Sequence, residues 1–323
     1  MISRRELLKG FGGFALGAVT GDFLIETSAL SRYRERHKEV SIYLDPILDI
    51  FYEYRDFSFQ EVQTPHPFHL VFLSDVHLSA TNEAHLDIDG LSRVVQTINA
   101  LMRNLDSQDW IFVLGGDLVN HSSSRFSKKD YPQTPRSIWE KGIEMLSEID
   151  STKKFAVLGN HERDHTDVDL IAGKLSSCGL ARLDDQSEPY QHNGVEIFGL
   201  PDFTTVRYSQ GALSALKLAT STTKPKLVIS HNPQLFEHLV PENALSLAGH
   251  LHGGHLAQVG LSQRYASRLA LEVGLGYHGK FVEGLYRLPN QSSLLINNGI
   301  GDHPLNLGTL RTSARTVQIV RVG

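Results

Sequence analysis

The sequence predicts an α/β fold, with helices layered against a mixed sheet. Three observations predict it. Short apolar runs alternate with helical periodicity from Phe68 onward, the C-terminal tail is rich in strand patterns, and five of the apolar runs end in a residue type that binds metals. With 323 residues, 41% of them apolar, the chain is long enough to bury a sizeable core.

The elements follow in order. "FHLVFLS" (68–74) is a buried strand, and Leu91, Val94, Val95, Ile98, Leu101, Met102 and Leu105 form a helical stripe. "WIFVLGG" is a second strand, residues 136–149 a second helix and "KFAVLGN" a third strand. The helical stretch "DVDLIAGKL" leads to strands "VEIFGL", "KLVIS" and "SLAGH", with a helix around Ala212–Lys217 before "KLVIS". "GKFVEGLYRL", "SSLLINNG" and "RTVQIVRV" close the chain as successive strands. The single cysteine, Cys178, excludes an internal disulfide framework. It falls in a helical pattern and is expected to be a buried structural thiol.

Upstream, "SRRELLKGFGGFALGAVTG" joins a basic start to an apolar run, Gly10 to Gly21. That run is shorter than the roughly 20 residues a helix needs to span a bilayer and fits a signal segment. Ser3-Arg4-Arg5 with Leu7, Leu8 and Lys9 resembles the twin-arginine export motif, whose machinery carries folded, cofactor-loaded proteins. Residues 1–29 are therefore expected to be a twin-arginine-like signal or membrane-targeting segment. Export places the protein at the inner membrane or in the periplasm. Arg32, Arg34, Arg36 and Lys38 form a second basic cluster, and charge on both flanks leaves the cytoplasmic face of the inner membrane as the alternative. Residues 30–66 are expected to be a basic, amphipathic linker. In "DPILDIFYEYRDF", Asp45 is expected to cap a helix with Pro46 in its first position. Ile47, Leu48, Ile50, Phe51 and Tyr54 then form one apolar side, which packs on the main domain or lies on a membrane surface.

Charge narrows the function classes. The net charge is −5, but residues 1–38 carry +3 and the remainder −8. Proteins that track nucleic acid carry a basic face. An acidic body argues against a nuclease, and no nucleic-acid partner is expected.

The strand ends carry the chemistry. "SDVH" gives Asp75 and His77, "GGD" gives Asp117, and "GNHE" gives Asn160, His161 and Glu162. "SHNP" gives His231, and "AGHLHGGH" gives His250 and His252. In open α/β sheets, sites form at this edge. On an extended segment residues i and i+2 face the same side, so both rings of the His250/His252 pair can face one site, while the glycines let the backbone approach an ion.

These five blocks, in this order, resemble the calcineurin-like metallophosphoesterases. "HGKFVEGLYRL" and "LLINNGIGDHPLNLG" are similar to the YaeI-type phosphodiesterase branch of that family. The resemblance implies a four-layer α/β/β/α sandwich of two mixed sheets, with residues 67–323 as the catalytic domain. It implies two divalent metal ions, one held by Asp75, His77 and His252, the other by Asn160, His231 and His250, with Asp117 bridging. Such pairs sit roughly 3.5–4 Å apart and acidify water, so that hydroxide attacks phosphorus in line. His161 then acts as general acid, with Glu162 orienting its ring. His255 falls where the branch has Gln and is assigned no metal. The mixed carboxylate, amide and imidazole set suits Mn²⁺, Fe or Zn²⁺, with Mn²⁺ favoured.

The implied reaction is hydrolysis of a phosphodiester or pyrophosphate bond, on a substrate that a lipid can carry, at a membrane surface. Arg125, Lys128 and Lys129, after Asp117, are candidates to hold a second substrate phosphate or are simply solvated loop charges. The alternative enzyme is a UDP-2,3-diacylglucosamine pyrophosphohydrolase of lipid A synthesis on the cytoplasmic face. A non-catalytic scaffold is the third reading. Such proteins usually lose metal ligands, and this chain keeps all seven.

Overall fold

The structure is a computed structural model and describes residues 41–45, 48, 50–59, 66–78, 86–120, 134–202, 206–237, 240–252, 281, 283–301 and 315–323. The signal segment, the 32–38 basic cluster, Arg125, Lys128, Lys129 and His255 lie outside the described residues.

Two mixed sheets form the centre. The first has the strand order β1 (Ser41–Asp45), β2 (Ile50–Phe57), β13 (Arg315–Val322), β3 (Phe68–Leu73), β4 (Trp110–Leu114), β5 (Lys153–Ala156) and β6 (Leu180–Arg182). Strands β3 to β6 run parallel, while β13 is antiparallel to β3 and parallel to β2. The second sheet has the order β11 (Gly284–Leu288), β12 (Ser292–Ile296), β10 (Ala244–Ala248), β9 (Lys226–Ser230), β8 (Val195–Leu200) and β7 (Tyr190–His192). It is parallel from β12 to β8 and antiparallel at both edges. The helices are α1 (Ile88–Asn104), α2 (Arg136–Ser147), α3 (Asn160–Asp164), α4 (Val168–Ser177) and α5 (Val206–Thr220).

Alternation along the strands creates the four layers. Val71 and Leu73 of β3 join Phe112 and Leu114 of β4 in a core closed by Val94 and Ile98 of α1, Trp139 of α2 and Ile171 of α4. Leu70 and Phe72 point the other way and meet Ile197, Leu227, Leu245 and Leu295 of the second sheet. The outer face of that second sheet carries Val228, Leu294 and Ile296, covered by Leu216 and Ala219 of α5. Each fully buried Leu, Ile or Phe contributes about 1.5–3 kcal/mol, so three separate apolar interfaces fix the α/β/β/α stack. At the head of α1, the Asp87 side chain accepts the Gly90 N–H at 2.8 Å, a cap that sets where the stripe begins.

The sequence expectation fails at residues 45–57. Where an amphipathic helix is expected, β1 ends at Asp45 and β2 occupies Ile50–Phe57, paired antiparallel in the first sheet. Ile50 and Tyr52 enter the helix-side core, a period of two. Aromatic residues favour pleated pairing, and parallel pairing of β2 with the distant β13 decides the matter. Asp45 does cap, but it caps a turn, accepting the Leu48 N–H at 3.3 Å and pairing with Arg93 at 2.8 Å. Cys178 departs in a smaller way. It follows the end of α4 and is half-buried, packed against the first core. Among the described residues, no helix is long and apolar enough to cross a membrane.

Candidate metal centre

Strands β3, β4 and β5 of one sheet and β9 and β10 of the other deliver every candidate ligand just beyond their C-terminal ends. The structure brings together all seven expected metal residues and His161. Asp75, His77 and His252 form one potential metal-binding group, Asp117, His231 and His250 form another, and His77, Asp117 and His161 form a third that overlaps both, with ligand atoms inside each lying within 4.8 Å of one another. Asp117 Oδ2 lies between the groups, 3.1 Å from His231 Nε2 and 3.8 Å from His77 Nε2. Asn160 Oδ1 lies 3.1 Å from His231 Nε2, which adds a neutral oxygen to the second group.

The backbone at these positions is unusual. Asp75, His77, Asp117, His250 and His252 all have positive φ, between 46° and 71°. A left-handed residue other than glycine costs about 1–2 kcal/mol, so five at one place is strain concentrated at a site. It also corrects the extended-strand account of the His250/His252 pair. Both residues sit beyond β10 in left-handed turns, and they join different groups, His252 with Asp75 and His250 with Asp117. Gly249 between β10 and His250 is required for space, because a Cβ there would run into Ser74 Oγ and the Asp75 carboxylate.

Hydrogen bonds aim the ligands. His231 Nδ1 lies 2.9 Å from the Gly115 carbonyl and donates there, so Nε2 is the atom turned toward Asp117 and Asn160 and the one a metal would take in place of a proton. The Asp75 carboxylate accepts the His250 N–H at 3.0–3.1 Å and the Ser74 hydroxyl, and its backbone carbonyl accepts the N–H groups of Ile300 and Gly301. The Ser74 and 300–301 contacts were not read from sequence, although Ser74 stands beside Asp75 in the "SDVH" block.

Electrostatics favours cations here. Burial raises the Asp75 carboxyl, and burial raises Asp117 to about 7 against the lowering effect of His231. Burial alone lowers the His231 imidazole, but Asp117, Asp75 and Asp202 outweigh it and hold the ring well above its ordinary value. The protein alone thus pairs buried carboxylates with a proton on His231. Nε2 atoms, carboxylate oxygens and an amide oxygen converging in a buried space are the donor set of a borderline divalent ion. The residues fit two such ions.

His161 and Glu162 open α3 and take different parts. His161 is held by its backbone N–H, which donates to Asp117 Oδ1 at 2.9 Å. Its ring packs edge-on against His77, with Nε2 3.9 Å from Asp117 Oδ2. Its side chain is 11% exposed against 2% for Asp117, and it lies close enough to His77 and Asp117 to form a potential metal group with them. Glu162 does not orient that ring, contrary to expectation. Its carboxylate accepts three backbone N–H groups, from Asp117 at 2.8 Å, Gly159 at 2.9 Å and Val119 at 3.0 Å. Glu162 instead clamps the β4 and β5 loops together, a role that the "GNHE" spelling does not disclose.

Comparison with known proteins agrees with this geometry. The sequence model of the family described as calcineurin-like phosphoesterase matches residues 68–254, which include every residue of both groups. No curated protein matches the chain.

Proposed function

The chain belongs to the calcineurin-like phosphoesterase family of metal-dependent phosphoester hydrolases, and on that premise we propose that it hydrolyses a phosphodiester or pyrophosphate bond at a membrane surface, with two Mn²⁺ ions as its metals. The observation that carries the reading is the position of Asp117 Oδ2 between two His/Asp groups.

Asp75, His77 and His252 would hold one ion, Asn160, His231 and His250 the other, and Asp117 would serve both. Bound there, two divalent ions supply positive charge for a phosphate and acidify water for attack. Asn160 contributes oxygen without charge, so two aspartates leave the centre net positive toward an anionic substrate. His161 gives a proton to the leaving oxygen. Its backbone bond to Asp117 ties the donor to the centre it serves. Glu162 keeps the Asp117 loop and the Asn160 helix in register.

The YaeI-type likeness in the tail supports a diester. The paired arginines Arg4 and Arg5 support export to the outer face of the inner membrane. A second reading, a UDP-2,3-diacylglucosamine pyrophosphohydrolase on the cytoplasmic face, is favoured by one observation, the cluster Arg32, Arg34, Arg36 and Lys38. Each such charge is worth about 1 kcal/mol against an anionic leaflet. Chelator-treated protein should be inactive and regain hydrolysis of a nitrophenyl phosphodiester with Mn²⁺. Faster turnover of UDP-2,3-diacylglucosamine selects the second reading, and hydrolysis that survives chelation defeats both.

A further inference from the structure

Asn120 follows the end of β4 by six residues, and none of the roles above belongs to it. We propose that Asn120 is a positioning residue that fixes the tautomer of His77 and thereby the ring atom His77 turns to the first metal. The proposal rests on the two-metal reading.

Asn120 is buried, and its Nδ2 donates to the backbone carbonyl of His77 at 3.1 Å. A carbonyl only accepts, so this bond decides which way the amide lies. Oδ1 is then the atom 2.9 Å from His77 Nδ1. An amide oxygen has no proton to give, so Nδ1 must carry the hydrogen. A neutral imidazole has a single N–H, which leaves Nε2 as a lone pair. Nε2 is the atom that faces the centre, 3.0 Å from His252 Nε2, 3.8 Å from Asp117 Oδ2 and 3.9 Å from Asp75 Oδ1.

The amide therefore grips His77 at two points, its ring and its own carbonyl. That second bond also helps hold the left-handed backbone of His77, φ 48°. Asn120 is itself fixed. Its N–H donates to Thr134 Oγ1 at 2.7 Å, its carbonyl accepts the Thr134 N–H at 3.1 Å, and the Thr134 hydroxyl also reaches the Leu78 carbonyl. At the second metal the backbone of Gly115 does the same work on His231, where no substitution can remove it. At the first metal the acceptor is a side chain and can be replaced.

The test uses ¹⁵N NMR of histidine rings in the metal-free protein, followed by titration with Mn²⁺ alone, for the native chain, Asn120→Leu and Asn120→Asp. His77 should be an Nδ1–H tautomer in the native protein. Asn120→Leu should release it and weaken one of two Mn²⁺ affinities by about 10–100-fold, leaving the other nearly unchanged. Asn120→Asp keeps the acceptor and should recover the tautomer and most of the affinity. His77 found as an Nε2–H tautomer in the native protein overturns the proposal without any variant, as does Asn120→Leu with both affinities intact. A native protein that takes up no Mn²⁺ defeats the two-metal reading, while the tautomer still decides the role of Asn120.

Discussion

Replacing Glu162 by glutamine removes one oxygen and almost nothing else, yet the structure predicts a large effect. Glu162 Oε2 accepts the Asp117 and Gly159 N–H groups and Oε1 accepts that of Val119. The side chain is 2% exposed, so no water replaces what is lost. If the amide oxygen takes the place that serves two donors, the amide N–H₂ faces the third. One buried donor left unmet costs about 1–3 kcal/mol, and the two surviving bonds lose their charge assistance, for a total of about 2–4 kcal/mol. The three N–H groups belong to Asp117, to Val119 two residues on and to Gly159 just before Asn160, so both metal affinities should fall together. The assay combines urea unfolding of metal-free protein, Mn²⁺ titration, and rates on phosphodiesters with nitrophenyl and alkyl leaving groups. Glu162→Gln should unfold at lower urea, bind both ions more weakly and lose rate equally on both substrates. Unchanged stability, with a rate loss confined to alkyl leaving groups, would show that Glu162 orients His161 after all.

Other outcomes follow from the same geometry. His161→Ala should keep two ions per chain and lose about 10²–10⁴ in rate on poor leaving groups, less on nitrophenol, by metal analysis and kinetics together. Loss of an ion would make His161 a ligand. Gly249→Ala forces a methyl group into Ser74 and Asp75, and should reduce metal content and lower the unfolding midpoint. A variant that binds metal like the native chain contradicts the packing at β10. Burial and Arg321 lower His69 to about 4, below its usual value of 6.5. The unfolded chain then takes up a proton first, so this stability is present above pH 6.5 and lost as pH falls toward 4, about 3 kcal/mol at most. Urea midpoints at pH 7 and pH 4.5 should fall less in His69→Asn than in the native chain. Equal falls contradict it.

Much of this was legible in the sequence because strand and site share a signal. An apolar run of four to six residues ending in Asp, Asn or His marks both a buried parallel strand and what it delivers, as in "KLVIS" before His231. The illegible parts depend on distant partners. Ile50, Phe51 and Tyr54 satisfy a helical stripe and a strand pattern alike, and only pairing with Arg315–Val322 selects the strand. Strands β6 and β7, three residues each, are too short to show a period. Glu162 was named from its motif, but the donors it accepts from are backbone N–H groups, which leave no trace in residue type. Asn120 likewise acts through a ring 43 positions away.

The central claim is that Asp117 serves two metal ions in one catalytic centre. The most direct measurement counts ions per chain and phosphodiester turnover at saturating Mn²⁺, for the native protein and Asp117→Asn. The native chain should bind two ions. In Asp117→Asn both should bind more weakly, with turnover lower than after loss of any ligand that serves one ion. A native chain active with a single ion, or Asp117→Asn with full turnover at saturating metal, would contradict it.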